Sequence, residues 1–220
     1  MSDANVIIAG TGRAGTTLLV ALLSDLGLDT GFRPGVRMDG SGGLERDPSK
    51  GEMPRIVKSP GLSTRLGKLL DDQVVKVEHV IIPIRDLDVA AASRVRVAGY
   101  GRFLGVRGGF TGTRSARRQK RVLEAMLADL DWTIARYDLE HTFLEFPRFA
   151  HDWQYLYDKL GFLDPALTVD EFRVAVEKRY DPNEIREEPL SRRERTEAWL
   201  IAPWTFVRRV VNRMPWSKTT

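Results

Sequence analysis

The run Gly10-Thr11-Gly12-Arg13-Ala14-Gly15-Thr16-Thr17 follows a short β-branched segment and opens an apolar helical pattern. Glycines at this spacing let the backbone fold back so that successive N–H groups face one concavity, and the helix end adds partial positive charge. Such a turn can cradle phosphate. The spacing is almost that of a Walker A loop, but Thr16 stands where that loop carries its lysine, and the positive side chain is Arg13, inside the turn. Triphosphate hydrolysis would lack its usual phosphate-binding lysine. The same residues also fit a plain glycine turn that holds no ligand.

A second candidate is Ile84-Arg85-Asp86 with Ser93 eight residues after Arg85. Arg85 closes a strongly apolar strand at its carboxyl end, the edge at which open α/β sheets bind ligands, and Ser93 lies about two helical turns onward. An arginine fork and a hydroxyl arriving there could hold one anionic group. The competing role for Arg85 is an ion pair with Asp86 or Asp88.

Positioning these residues takes alternating strands and helices. Asn5–Ala9, Arg55–Lys58 and Val77–Ile84 read as buried strands, and Thr16–Leu26, Leu62–Leu70 and Leu87–Val97 as the helices between them. A long helix is expected from Ser115 to Tyr137, then a short strand Thr142–Phe146 and helices Phe149–Leu160 and Val169–Arg179. Gly31–Met53 reads as a surface loop with a short helical piece after Leu44, and Gly99–Gly112 as a mobile loop. This order implies an α/β fold, a P-loop-like three-layer sandwich with a central parallel sheet and helices on both faces.

Composition sets the outer limits. The 220 residues are 42% hydrophobic and 29% charged, enough to bury a core, and the absence of cysteine excludes disulfides and thiolate chemistry. His79, His141 and His151 make no ligand spacing and no acidic cluster is visible, so no metal is expected. The chain opens without a signal-peptide pattern, and its apolar runs fall far short of the roughly 20 residues of a spanning helix, so a cytoplasmic chain with no transmembrane segment is expected. The net charge of +4 is accounted for by the tail, where Arg208, Arg209, Arg213 and Lys218 stand without an acid from Ala198 onward. A near-neutral body argues against nucleic acid as the partner. Residues 1–190 therefore read as the core domain and 191–220 as a basic, aromatic helical extension. Its stripe of Trp199, Trp204, Phe206, Val207, Val210, Val211 and Trp216 suits packing on its own domain or a subunit contact, with a peripheral membrane contact as the alternative.

Taken together, the two motifs resemble the cytosolic-type and bacterial sulfotransferases that use 3'-phosphoadenosine 5'-phosphosulfate (PAPS). Arg13-Ala14-Gly15-Thr16-Thr17 matches the family's 5'-phosphosulfate loop, basic-Ser-Gly-Thr-Thr, with alanine for serine, and Arg85 and Ser93 have the separation of its 3'-phosphate pair. Phe143-Leu144-Glu145-Phe146-Pro147 through Leu160-Gly161-Phe162 looks like a degraded copy of the strand and helix ending in Leu-Gly-Phe, so the resemblance spans about Val6 to Arg179. It implies that Gly12, Arg13, Ala14, Gly15, Thr16, Thr17, Arg85 and Ser93 bind PAPS, and that Arg13 and Lys58 stabilise the transferring group. The histidine that serves the animal enzymes as base is replaced by Pro60 in Lys58-Ser59-Pro60. Gly43-Leu44-Glu45 is similar to the bacterial Gly-aromatic-Glu form, which makes Glu45 the implied base, against a solvated role paired with Arg46, and leaves Asp39 as the next acid in the loop. The animal enzymes' glycine-rich 3'-phosphate segment has no counterpart, which leaves that work to Arg102–Arg118. The implied activity is sulfuryl transfer to a hydroxyl or amine of a small molecule or glycan. The alternatives are a small-molecule kinase using ATP and magnesium and a non-catalytic nucleotide- or nucleic-acid-binding module.

Overall fold

A computed structural model describes residues 4–37, 43–50, 52–59, 61–103, 115–183, 185, 188, 189 and 191, with backbone alone for 98–103. Among the described residues four strands form one sheet: β1 (Asn5–Ile8), β2 (Ile56–Lys58), β3 (Val77–Ile84) and β4 (His141–Glu145), in the order β2-β1-β3-β4. Every pairing is parallel, with Ile7 opposite both Val57 and Val80, and Ile82 opposite Phe143. Parallel neighbours need crossovers, and the helices between the strands supply them: α1 (Thr16–Asp25), α2 (Leu62–Asp71) and the pair α3 (Leu87–Phe103) and α4 (Ala116–Tyr137), with α5 (Trp153–Leu160) and α6 (Val169–Arg179) following β4 among the described residues.

Strand alternation divides the core in two. Val6, Ile8 and Ile81 face α1, α5 and α6, around the fully buried Phe149 and Phe172. Ile7, Val80 and Ile82 face the opposite way, against Leu62, Leu66 and Leu69 of α2 and Leu130 and Ile134 of α4. Helix α3 joins this second layer by packing Ala90 and Ala91 on Leu123 and Met126 of α4. The expected α/β architecture with helices on both faces is therefore present. The order also puts a crevice between β1 and β3, whose outgoing connections leave in opposite directions, and such a switch point is where open α/β sheets take ligands.

Local chemistry explains the ends. Asp86 Oδ1 accepts from the N–H groups of Asp88 and Val89 and starts α3, Asp152 Oδ1 accepts from Tyr155 and starts α5, and Thr168 with Glu171 forms a capping box on α6. Three expectations need correction. Helix α3 continues to Phe103 rather than ending at Val97, because Gly99 and Gly101 each weaken a helix by only about 1 kcal/mol and do not forbid one. The segment expected as one helix from Phe149 splits into a 3-10 turn, Arg148–Ala150, and α5, since the Asp152 cap fixes the start at Trp153. No helical piece follows Leu44: residues 43–47 have no regular secondary structure, and Arg46 N–H donates to Lys58 O at 2.8 Å. Residues 104–114, most of the expected mobile loop and of the Arg102–Arg118 stretch, lie outside the described residues, as do Asp39, Pro60 and 192–220 of the extension. Among the described residues no helix is long and apolar enough to cross a membrane.

Candidate functional site

The turn after β1 is left-handed at three residues: Gly12 (φ 68°), Arg13 (φ 60°) and Gly15 (φ 74°). Gly15 is required twice over. Its φ suits a residue without Cβ, and a Cβ there would come within 2.8 Å of the Phe149 ring and closer still to Phe146. Gly15→Ala is expected to cost about 1–2 kcal/mol for the left-handed backbone and about 1–3 kcal/mol for the overlap, read as a lower urea midpoint. A change under about 0.5 kcal/mol, the scale of a neutral surface substitution, would show that the turn relaxes freely. Gly15 is the N-cap of α1, no side chain caps the helix and no acid lies in its first turn, so the end keeps its positive potential. Ala14, where the resembling loop has serine, is fully buried, which accounts for an apolar side chain.

Neighbouring elements hold this turn in shape. Ser63 of α2 accepts from Gly10 N–H at 3.0 Å and donates to the Gly10 carbonyl. Arg94 of α3, 3% exposed, donates through Nη2 to Thr11 O at 2.8 Å and through Nη1 to Gln119 of α4 at 3.4 Å. Arg85 Nη1 donates to the Arg13 carbonyl at 3.1 Å, with its guanidinium 4.9 Å above the Phe146 ring. Arg13 Nε in turn donates to Ser93 Oγ at 3.0 Å. Asp86 and Asp88, the expected competitors for Arg85, are engaged elsewhere: Asp86 caps α3, and Asp88 pairs with Lys120 at 2.7 Å. Crowding these cations has an electrostatic effect. Burial lowers the pKa of Arg13, and burial together with the Arg13 charge lowers that of Arg94 to about 10.

A second group meets the same turn from β2. Lys58, 6% exposed at the carboxyl end of that strand, donates from Nζ to Thr17 Oγ1 (3.1 Å), Gly43 O (2.7 Å) and Glu45 Oε1 (3.4 Å). A cation thus reaches the turn from the adjacent strand, in addition to Arg13 within it. Glu45 pairs with Lys58, whereas Arg46, its expected alternative partner, donates to Gly31 O and lies over the Phe32 ring. Glu45 keeps 40% of its side chain exposed, which leaves its carboxylate open to solvent.

All the candidate residues, Gly12, Arg13, Ala14, Gly15, Thr16, Thr17, Glu45, Lys58, Arg85 and Ser93, therefore surround the β1–α1 turn. The arrangement offers cations and a helix end to an anion on one side and a carboxylate on the other. Arg94 and Ser63 were not expected. The available signals were an arginine in register with Ala90 and Ala91, and a serine between Leu62 and Leu66 on the apolar face of α2. His79 lies apart from the turn, its Nε2 2.8 Å from Thr142 Oγ1 near the start of β4. Among the described residues no group of three or more His, Asp or Glu side chains comes together as metal ligands. No family model matches the chain, and no curated protein matches it.

Proposed function

We propose that the chain is a PAPS-dependent sulfotransferase that moves the sulfuryl group to a hydroxyl or amine of a small molecule or glycan. The observation that carries this reading is the position of Arg13: its carbonyl is held by Arg85, its side chain by Ser93, and its loop runs into the uncapped start of α1. Two anionic groups on one ligand suit this set. The α1 end with Gly12 to Thr17 would hold a 5'-phosphosulfate, and Arg85 with Ser93 a 3'-phosphate. PAPS, when bound, supplies a sulfuryl group on a phosphate leaving group. Arg13 and Lys58 hold positive charge where negative charge grows on leaving, and Glu45 Oε1 takes the acceptor's proton.

Calorimetry in EDTA should detect binding of 3'-phosphoadenosine 5'-phosphate (PAP) in preference to adenosine 5'-phosphate. Arg85→Ala is expected to weaken PAP about tenfold or more, since a charge-assisted hydrogen bond contributes about 1.5–3 kcal/mol, and to change adenosine 5'-phosphate far less. Equal loss for both would make Arg85 only a clamp on the Arg13 carbonyl. Binding of ATP with magnesium and none of PAP would replace this reading by the kinase one.

A further inference from the structure

On the layer that carries α3 and α4, the helices stop short of the edge strand. The buried stripe of α4 covers β1 and β3, and between α4 and β4 remains a groove of about 260 Å³ with Ile82, Ile84 and Phe143 on the sheet side and Leu127, Asp131 and Ile134 on the helix side. Phe143 is 44% exposed, and on the outer flank of α4 Trp132 is 70% exposed. An edge strand with an open apolar face is a liability unless something covers it.

We infer that the groove is the docking site for the chain's own C-terminal segment, residues 204–214. Three observations single out this occupant. The first is where the described chain leads. Helix α6 and Ile185 pack on the opposite face, yet the carbonyls of Glu188 and Pro189 accept from Arg96 of α3, both at 3.2 Å, so the chain has reached a helix of the layer that bears the groove. From Ala116, which packs beside Val95 of α3, to Asp131 is about 22 Å along α4, a distance that about seven extended residues cover. The second is pattern. At 3.6 residues per turn, Trp204, Phe206, Val207, Val210, Val211 and Met214 fall on one side and Thr205, Arg208, Arg209, Asn212 and Arg213 on the other, between Pro203 and Pro215. The third is charge. Glu124 and Asp131 are exposed on α4 and Glu145 on β4, whereas the segment carries three arginines and no acid. The apolar side fills the groove and the arginines meet its carboxylate rim.

The chain has no cysteine, so two introduced ones take nitroxide labels without background. With labels at Asp129→Cys and Asn212→Cys in the full chain, pulsed EPR should give one narrow distance distribution on the order of 20–30 Å, about two helix diameters. Phe143→Asp should broaden it. Phe143 is already partly exposed, so this change spares the core, and Leu127→Glu gives a second test should circular dichroism show Phe143→Asp misfolded. Four results would overturn the inference. They are a broad distribution in the parent chain, a narrow one that both groove variants leave unchanged, one lost on tenfold dilution with unlabelled chain (a second copy fills the groove), and one seen only with phosphatidylserine vesicles (the segment lies on a membrane).

Discussion

Glu45→Gln is expected to lower sulfuryl transfer about 10²–10⁴-fold while PAP binds as before. The substitution keeps shape and removes basicity. Lys58 retains its contacts to Gly43 O at 2.7 Å and Thr17 Oγ1 at 3.1 Å, both shorter than the 3.4 Å to Glu45, so the cluster stays assembled. The pair is also half in solvent on the Glu45 side, and an ion pair of that exposure contributes at most about 1 kcal/mol to stability. Lost activity could therefore not be lost fold. The measurement is the rate of PAP release at saturating PAPS and acceptor, beside calorimetry with PAP. Turnover within a fewfold of the parent would remove Glu45 from the chemistry.

Arg13→Ala is expected to cost turnover more than affinity, about 10²–10³-fold in kcat, the scale of losing one donor to charge that develops in the transition state. Alanine keeps the carbonyl that Arg85 grips and adopts the left-handed φ of 60° at the same backbone cost as arginine, so the turn itself should persist. The change removes the guanidinium and its bond to Ser93. A rise in the PAP dissociation constant with kcat unchanged at saturation would make Arg13 an anchor for the cofactor and nothing more.

Elements whose signal is local were readable in the sequence. Val77–Ile84 and Val169–Arg179 occupy the expected residues because a continuous apolar run and a capped amphipathic turn each specify their own ends. The glycine turn was legible for a similar reason, since left-handed backbone demands particular residues wherever it occurs. Strand order was not legible, because it depends on which faces pack and not on any one segment. Arg94 was missed because a charged residue beside Ser93 reads as solvent-facing, and arginine is rarely buried. Its burial follows from the Thr11 carbonyl and Gln119, partners that adjoin it only after folding.

The bonds that shape the glycine turn have a kinetic consequence. Gly10 is tied to a residue 53 positions away, Arg13 to residues 72 and 80 away, and Thr11 to one 83 away. Forming any of them closes a long loop, and that entropy must be met by docking α2 and α3 on the sheet rather than by the turn itself. During synthesis the glycine segment emerges first, yet it gains its shape only after residue 94 has joined the sheet's second layer. The turn should therefore open and close with α3 as one cooperative unit, and amide exchange in residues 10–15 would follow the exchange of that helix.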